Sequence, residues 1–215
     1  MPQPATATAA PSPRPGQAQS GQAQSGQARP AQPRTDTRAR VQKVALELFA
    51  EQGYEKTSLR EIAERLGVTK AALYYHFRSK EDIVHSFTDD HFSRIDELIE
   101  WARTQPPGSR TRREILDRYV SIVLAGAEVF RFIEQNRAAM ESMESPKKER
   151  FTLLRTRLEA LVELLAGPDA PLRTRARASA ALFAASAACI LVWDGTDDPG
   201  ELHAIALEIA TDLTS

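Results

Sequence analysis

Between Thr57 and Lys80, in TSLREIAERLGVTKAALYYHFRSK, apolar side chains recur in two short helical registers. Leu59, Ile62, Ala63 and Leu66 fall at i, i+3, i+4 and i+7, and Val68, Ala72, Leu73 and Phe77 follow, with Gly67 and Thr69 at the junction. The spacing predicts a helix, a tight turn and a second helix. Arg60, Glu61, Glu64 and Arg65 then face outward. Gly67 reaches positive φ at little cost and ends the first helix at Leu66, while Thr69 can accept from the open amides of the second. Leu73 and Phe77, four apart, anchor the inner face of that helix. Thr69, Lys70, Tyr74, Tyr75 and His76 are left on or near its exposed side.

The same pattern continues on both sides. Thr35 and Asp36 are candidate caps for a helix with Val41, Val44, Ala45, Leu48 and Phe49 on one face, closed by Gly53. Ser58 and Glu61 fit a capping box, with Thr57 as the alternative cap. Ser79 and Asp82 open a fourth helix that meets no breaker before Pro106-Pro107-Gly108, so a linker over 81–105 is on the order of 35 Å long. Beyond it the period predicts helices over about 112–137, 151–165, 169–193 and 199–213, with Gly126 leaving open whether the first of these is one helix or two. Asp198, Pro199 and Glu201 are the start signals of the last. No segment alternates as a strand does. The expectation is an all-α chain: a disordered arm over 1–34, a three-helix helix-turn-helix domain over 35–80, and a helical regulatory and dimerisation domain over 81–215, with five or six helices after the linker.

Composition sharpens this. Residues 1–34 are mainly Pro, Gly, Gln, Ala and Ser, too polar to bury a core, and they lack the apolar run of a secretory leader. No stretch approaches the roughly 20 apolar residues of a membrane helix. Cys189 is the only cysteine, which excludes an intrachain disulfide and fits a reducing, cytoplasmic setting. Net charge is −1, but residues 1–34 carry three arginines and no acid, residues 35–88 nine bases and eight acids, and residues 89–215 sixteen bases and twenty-one acids. Any nucleic-acid contact is therefore local rather than a general coating.

The segment Val44 to Ile83, above all Gly67-Val68-Thr69, Leu73-Tyr74-Tyr75-His76-Phe77 and Ser79-Lys80, resembles the tetracycline-repressor (TetR) family of helix-turn-helix transcriptional regulators. The resemblance implies a homodimer, a palindromic operator in double-stranded DNA, and a small-molecule pocket in the C-terminal half that controls DNA affinity. It also implies that Arg60 reaches DNA from the second helix and that Thr57 and Ser58 meet phosphate at its start. On physical grounds Lys70 is the candidate for a guanine edge, Ala71 and Ala72 for close approach or a thymine methyl, and Thr69 for either a contact or a cap. Tyr74, Tyr75, His76 and Lys80 are candidate phosphate contacts. Half-burial of the tyrosines, a bond within the bundle for His76 and a merely solvated face for the lysines are the alternatives.

In the C-terminal half the Ala-rich helix near 170–193, with the last helix over 199–213, is the expected four-helix dimer interface. Trp101, Tyr119, Phe130, Met140, Met143, Phe151, Phe183 and Trp193 are candidate lining for an apolar or aromatic ligand, though any one of them can equally be core. No cluster of acids or bases there points to a charged ligand. His85 and His91, six apart, lie on different faces, so no metal is expected, nor any cofactor. Neither a nucleophile constellation nor a phosphate-cradling loop is present, so an enzyme is not expected. The competing reading is an architectural or protein-docking DNA binder without an effector.

Overall fold

The structure, a computed structural model, describes residues 34–136, 147–192 and 198–215. They form eight α-helices, and no strand occurs among the described residues: α1 (Arg34–Gln52), α2 (Leu59–Leu66), α3 (Lys70–His76), α4 (Lys80–Arg103), α5 (Ser109–Gln135), α6 (Lys147–Ala166), α7 (Leu172–Leu191) and α8 (Pro199–Thr214). The fold is all-α with a helix-turn-helix near its N-terminus. Local chemistry explains the short elements. Ser58 Oγ accepts from Glu61 N and the Glu61 carboxylate accepts from Ser58 N, so the capping box closes. At the other end of α2, Gly67 takes φ 68°, and Val68 N and Gly67 N donate to the Ala63 and Glu64 carbonyls, a Schellman stop. Thr69 caps α3, Ser79 caps α4 and Asp198 caps α8.

Two hydrophobic cores result. The first gathers Val41, Ala45, Leu48 and Phe49 of α1, Leu59 and Ile62 of α2, and Leu73 and Phe77 around α3. Ile83, Val84 and Phe87 of α4 and Phe132 of α5 complete it. The second packs Ile95, Leu98 and Ile99 of α4 against α5, α6, α7 and α8. α4, at 24 residues about 36 Å long, therefore lies in both cores. Arg157 of α6 clamps it from outside, with bonds of 2.9 and 2.6 Å to Asp96 and its guanidinium 4.7 Å from the Phe92 ring centre.

Several expectations change. α1 begins at Arg34, so Thr35 and Asp36 lie inside its first turn and not before it. α5 is a single unbroken helix through Gly126. The Ala-rich helix starts at Leu172, not Asp169, because Gly167 (φ 90°) and Asp169 (φ 55°) both turn left-handed. Pro171 is extended, and its carbonyl takes the first helical bonds from Thr174 and Arg175. Four described helices follow α4 where five or six were expected, and residues 137–146 lie outside the described residues.

Candidate DNA interface and internal cavity

α3 presents one face to solvent and one to the core. Leu73 and Phe77 are buried, while Lys70, Ala71, Ala72, Tyr74 and Tyr75 are exposed and His76 is half-exposed. Tyr75 is 67% exposed, and Tyr74, at 42%, lies under the Lys70 ammonium, 5.3 Å from its ring centre. The His76 ring stands edge-on to Tyr75 at 5.3 Å. Thr69 is exposed, and its Oγ1 accepts from Ala72 N at 3.2 Å, so it caps whatever else it touches. Arg60, on the neighbouring face of α2, holds an exposed ion pair with Glu64 at 2.7 Å, a bond weak enough to be exchanged for another anion.

Three expected phosphate contacts are differently placed. Thr57 is 1% exposed, and its hydroxyl donates to the Gly53 carbonyl at 2.9 Å, so its side chain is core and not interface. Ser58 is exposed, but its amide and hydroxyl both donate to Glu61, at 2.7 and 2.8 Å, which leaves it no free proton for a phosphate. Those bonds hold the Glu61 carboxyl below its usual range, and an ionised acid repels a phosphate at that helix start. Lys80 Nζ donates to the Tyr54 carbonyl at 2.7 Å and lies 4.3 Å from the Tyr54 ring centre. Since Tyr54 Oη donates to Glu81, this pair fastens the start of α4 to the α1–α2 connection. Missed from sequence was Arg38, whose guanidinium lies 5.1 Å from the Phe77 ring centre and adds a cation beside the end of α3.

A cavity of about 470 Å³ opens between α4, α5, α6 and α7, within the range of sites that hold drug-sized molecules. Tyr119, Phe130 and Phe183 line it, as do Phe87, Phe92 and Ile95 of α4, the helix expected as a linker. Trp101 does not. Its ring carries the Arg118 guanidinium at 3.8 Å, outside the cavity. Met140, Met143, Trp193 and the side chain of Phe151 lie outside the described residues.

The cavity wall also has polar groups, most of them supplied by α4 and α1. Asp90, His91 and Arg94 line it from α4 and Gln42 from α1. Gln42 Nε2 donates to Ser86 Oγ at 2.8 Å and to Asp90 Oδ2 at 2.5 Å, a direct tie between the first helix and the fourth. Burial, followed by the Arg94 charge, holds the His91 imidazole below its usual pKa. Its ring fits because α5 has glycine opposite, at Gly126. Cys189 is buried in the second core, where desolvation pushes its thiol up to about 11, away from nucleophilic use. Among the described residues no three metal-binding side chains come together, and no helix is long and apolar enough to cross a membrane.

The model of the family described as bacterial regulatory proteins, tetR family, matches residues 42–87. The HTH-type transcriptional regulator AcrR of Shigella flexneri is 41% identical over 83 residues, 38% of this chain and 39% of the relative. The chain thus matches about two fifths of that relative's length. A TetR/AcrR-family regulator from Thermobifida fusca shares 27% identity with a TM-score of 0.51, covering 84% of this chain and 97% of that one. The TetR-family regulator PfmR of Thermus thermophilus has a TM-score of 0.61 at 24% identity, covering 81% and 97%, a likeness of fold. All three are transcriptional regulators and not enzymes.

Proposed function

We propose that this chain, a member of the tetR family of bacterial regulatory proteins, is a repressor that binds a palindromic operator as a homodimer and is released by a small apolar or aromatic molecule. The observation that carries this reading is the shared position of α4. One end completes the core beneath α3, and its middle walls the cavity. A molecule that fills the cavity acts on α4, and α4 carries the reading helix with it. In a dimer the two α3 helices must match one turn of DNA, about 34 Å, so a displacement of a few ångströms costs affinity. The effector works by favouring the spacing that does not fit.

The reading set on DNA is Arg60, Lys70, Ala71 and Ala72, with Thr69, while Tyr74, Tyr75 and His76 hold phosphate. Dimerisation runs through α7 and α8. Leu172, Phe183 and Leu191 on α7 are 81, 65 and 79% exposed, and Ile205 and Ile209 on α8 are 45 and 40% exposed, an apolar row suited to the same row on a second copy. The competing reading, a DNA-binding architectural or docking factor without an effector, calls for a filled C-terminal core, and the open cavity weighs against it.

Selection of bound DNA from a random pool tests the proposal. Inverted repeats whose centres lie one helical turn apart, bound less tightly when an apolar aromatic compound is added, are expected. Enrichment of no sequence, or a monomer at micromolar concentration by sedimentation, overturns it.

A further inference from the structure

The polar atoms of the cavity can be assigned by asking where each proton goes. Ser186 has one hydroxyl proton, and its Oγ lies 2.9 Å from the Leu182 carbonyl, which can only accept. With that proton committed, the 2.8 Å contact between Ser186 Oγ and Tyr119 Oη is donated by the tyrosine. Tyr119 keeps a lone pair and has no proton left to offer. Burial raises its pKa, so the phenol stays protonated and the relay Tyr119 to Ser186 to Leu182 stays intact.

The other polar groups repeat this. Thr88 Oγ1 donates to the His85 carbonyl at 2.8 Å. Both protons of Gln42 Nε2 go to Ser86 and Asp90. Asp90 itself is an acceptor. The donors that remain are the single N–H of neutral His91 and the guanidinium of Arg94, which is exposed and has Asp90 one turn before it on the same helix face. Apart from the His91 N–H and the exposed Arg94 guanidinium, the side-chain polar atoms of the cavity are therefore open only as acceptors, with an apolar wall of Phe87, Phe92 and Val123 around them.

From this we infer that the effector is a hydrogen-bond donor: an apolar, largely aromatic body bearing a hydroxyl or N–H group that reaches Tyr119 Oη. This rests on the reading of the cavity as the effector site. A carboxylate could pair only with the exposed Arg94 guanidinium or the His91 N–H, and at the aromatic end of the cavity it would set its lone pairs against that of Tyr119. A ketone or ether would leave the open lone pair of buried Tyr119 Oη without a donor, which lowers its affinity relative to an alcohol.

Isothermal titration of the full chain with biphenyl-4-ol, 4-methoxybiphenyl and biphenyl-4-carboxylate separates these cases. The alcohol is expected to bind about tenfold tighter than its methyl ether, which keeps the oxygen but has no proton to give, and tighter still than the acid. Tyr119→Phe keeps the ring and removes the acceptor, so it should bring the alcohol to within about twofold of the ether without weakening the ether. Equal affinities for all three probes, or a preference for the carboxylate, overturn the inference and leave an effector cavity standing. If no probe binds, the cavity is not an effector site and the inference falls with it. The comparison on the unaltered chain decides the matter even if the variant does not fold.

Discussion

Gly126 and His91 face each other across the seam between α4 and α5, so that a Cβ at position 126 would lie 3.1 Å from His91 Nδ1. The glycine therefore does not bend α5; it makes room for an imidazole on the cavity wall. Gly126→Ala gains helix propensity of up to about 1 kcal/mol and must push the ring aside by a few tenths of an ångström. The two effects nearly cancel. Thermal denaturation should show a melting temperature within a few degrees of the parent, and the His91 imidazole resonance in NMR should move. A loss of more than about 3 kcal/mol would show that the ring has nowhere to go.

His91 also fixes a pH dependence. Its folded pKa lies below the ordinary value near 6.5, so the unfolded chain takes up the proton first. The histidine's contribution to stability is complete above about pH 6.5 and is lost as pH falls through that value toward the lower folded pKa. Urea unfolding at pH 7.5 and 5.5 measures the loss. His91→Asn should make it smaller, because the asparagine does not titrate; an equal loss in the variant would assign the dependence to other groups.

Lys70, which opens α3, and Lys80, which opens α4, should respond in opposite ways. Lys70→Ala removes no hydrogen bond that holds the fold. Stability should hold within about 0.5 kcal/mol, while affinity for the selected DNA falls by about 1–3 kcal/mol in fluorescence anisotropy. Lys80→Ala removes the bond to the Tyr54 carbonyl and the contact with its ring. It should cost about 1 kcal/mol of stability. Equal weakening of all DNA sequences by Lys70→Ala would make that lysine a phosphate contact.

Gln42 joins the reading helices to the cavity wall, so its replacement should uncouple the two. With Gln42→Leu, DNA affinity without effector should stay near that of the parent, and the loss on adding saturating biphenyl-4-ol should shrink. Couplings of this kind are typically about 1–3 kcal/mol. The ratio of DNA affinities with and without the compound is the measurement; a ratio equal to the parent's would place the coupling in other contacts.

What the sequence made legible was chemistry carried along the chain. The capping box at Ser58 and Glu61, the left-handed Gly67 and the Asp198-Pro199 start are complete within four residues, so spacing alone reveals them. The two faces of α3 follow from Leu73 and Phe77 in the same way. What stayed hidden crosses the chain. Thr57 reads as a helix cap until the Gly53 and Leu48 carbonyls at the end of α1 close over its hydroxyl. Lys80 reads as a phosphate ligand until Tyr54, 26 residues earlier, takes its ammonium. Trp101 reads as pocket lining until Arg118 covers it. In each case the partner belongs to another helix or its flank, and periodicity describes only how one helix divides its own faces.

Phe132, near the end of α5, stacks on Phe49 with ring centres 4.9 Å apart and planes 15° from parallel, and it belongs to the core under the reading helices. The reading head is thus not a cassette that ends where the helix-turn-helix motif ends. A chimera that joins residues up to Lys80 of this chain to the body of a relative would set Phe49 and Tyr54 against a foreign side chain. Transplanting the head intact requires the aromatic at position 132 to travel with it.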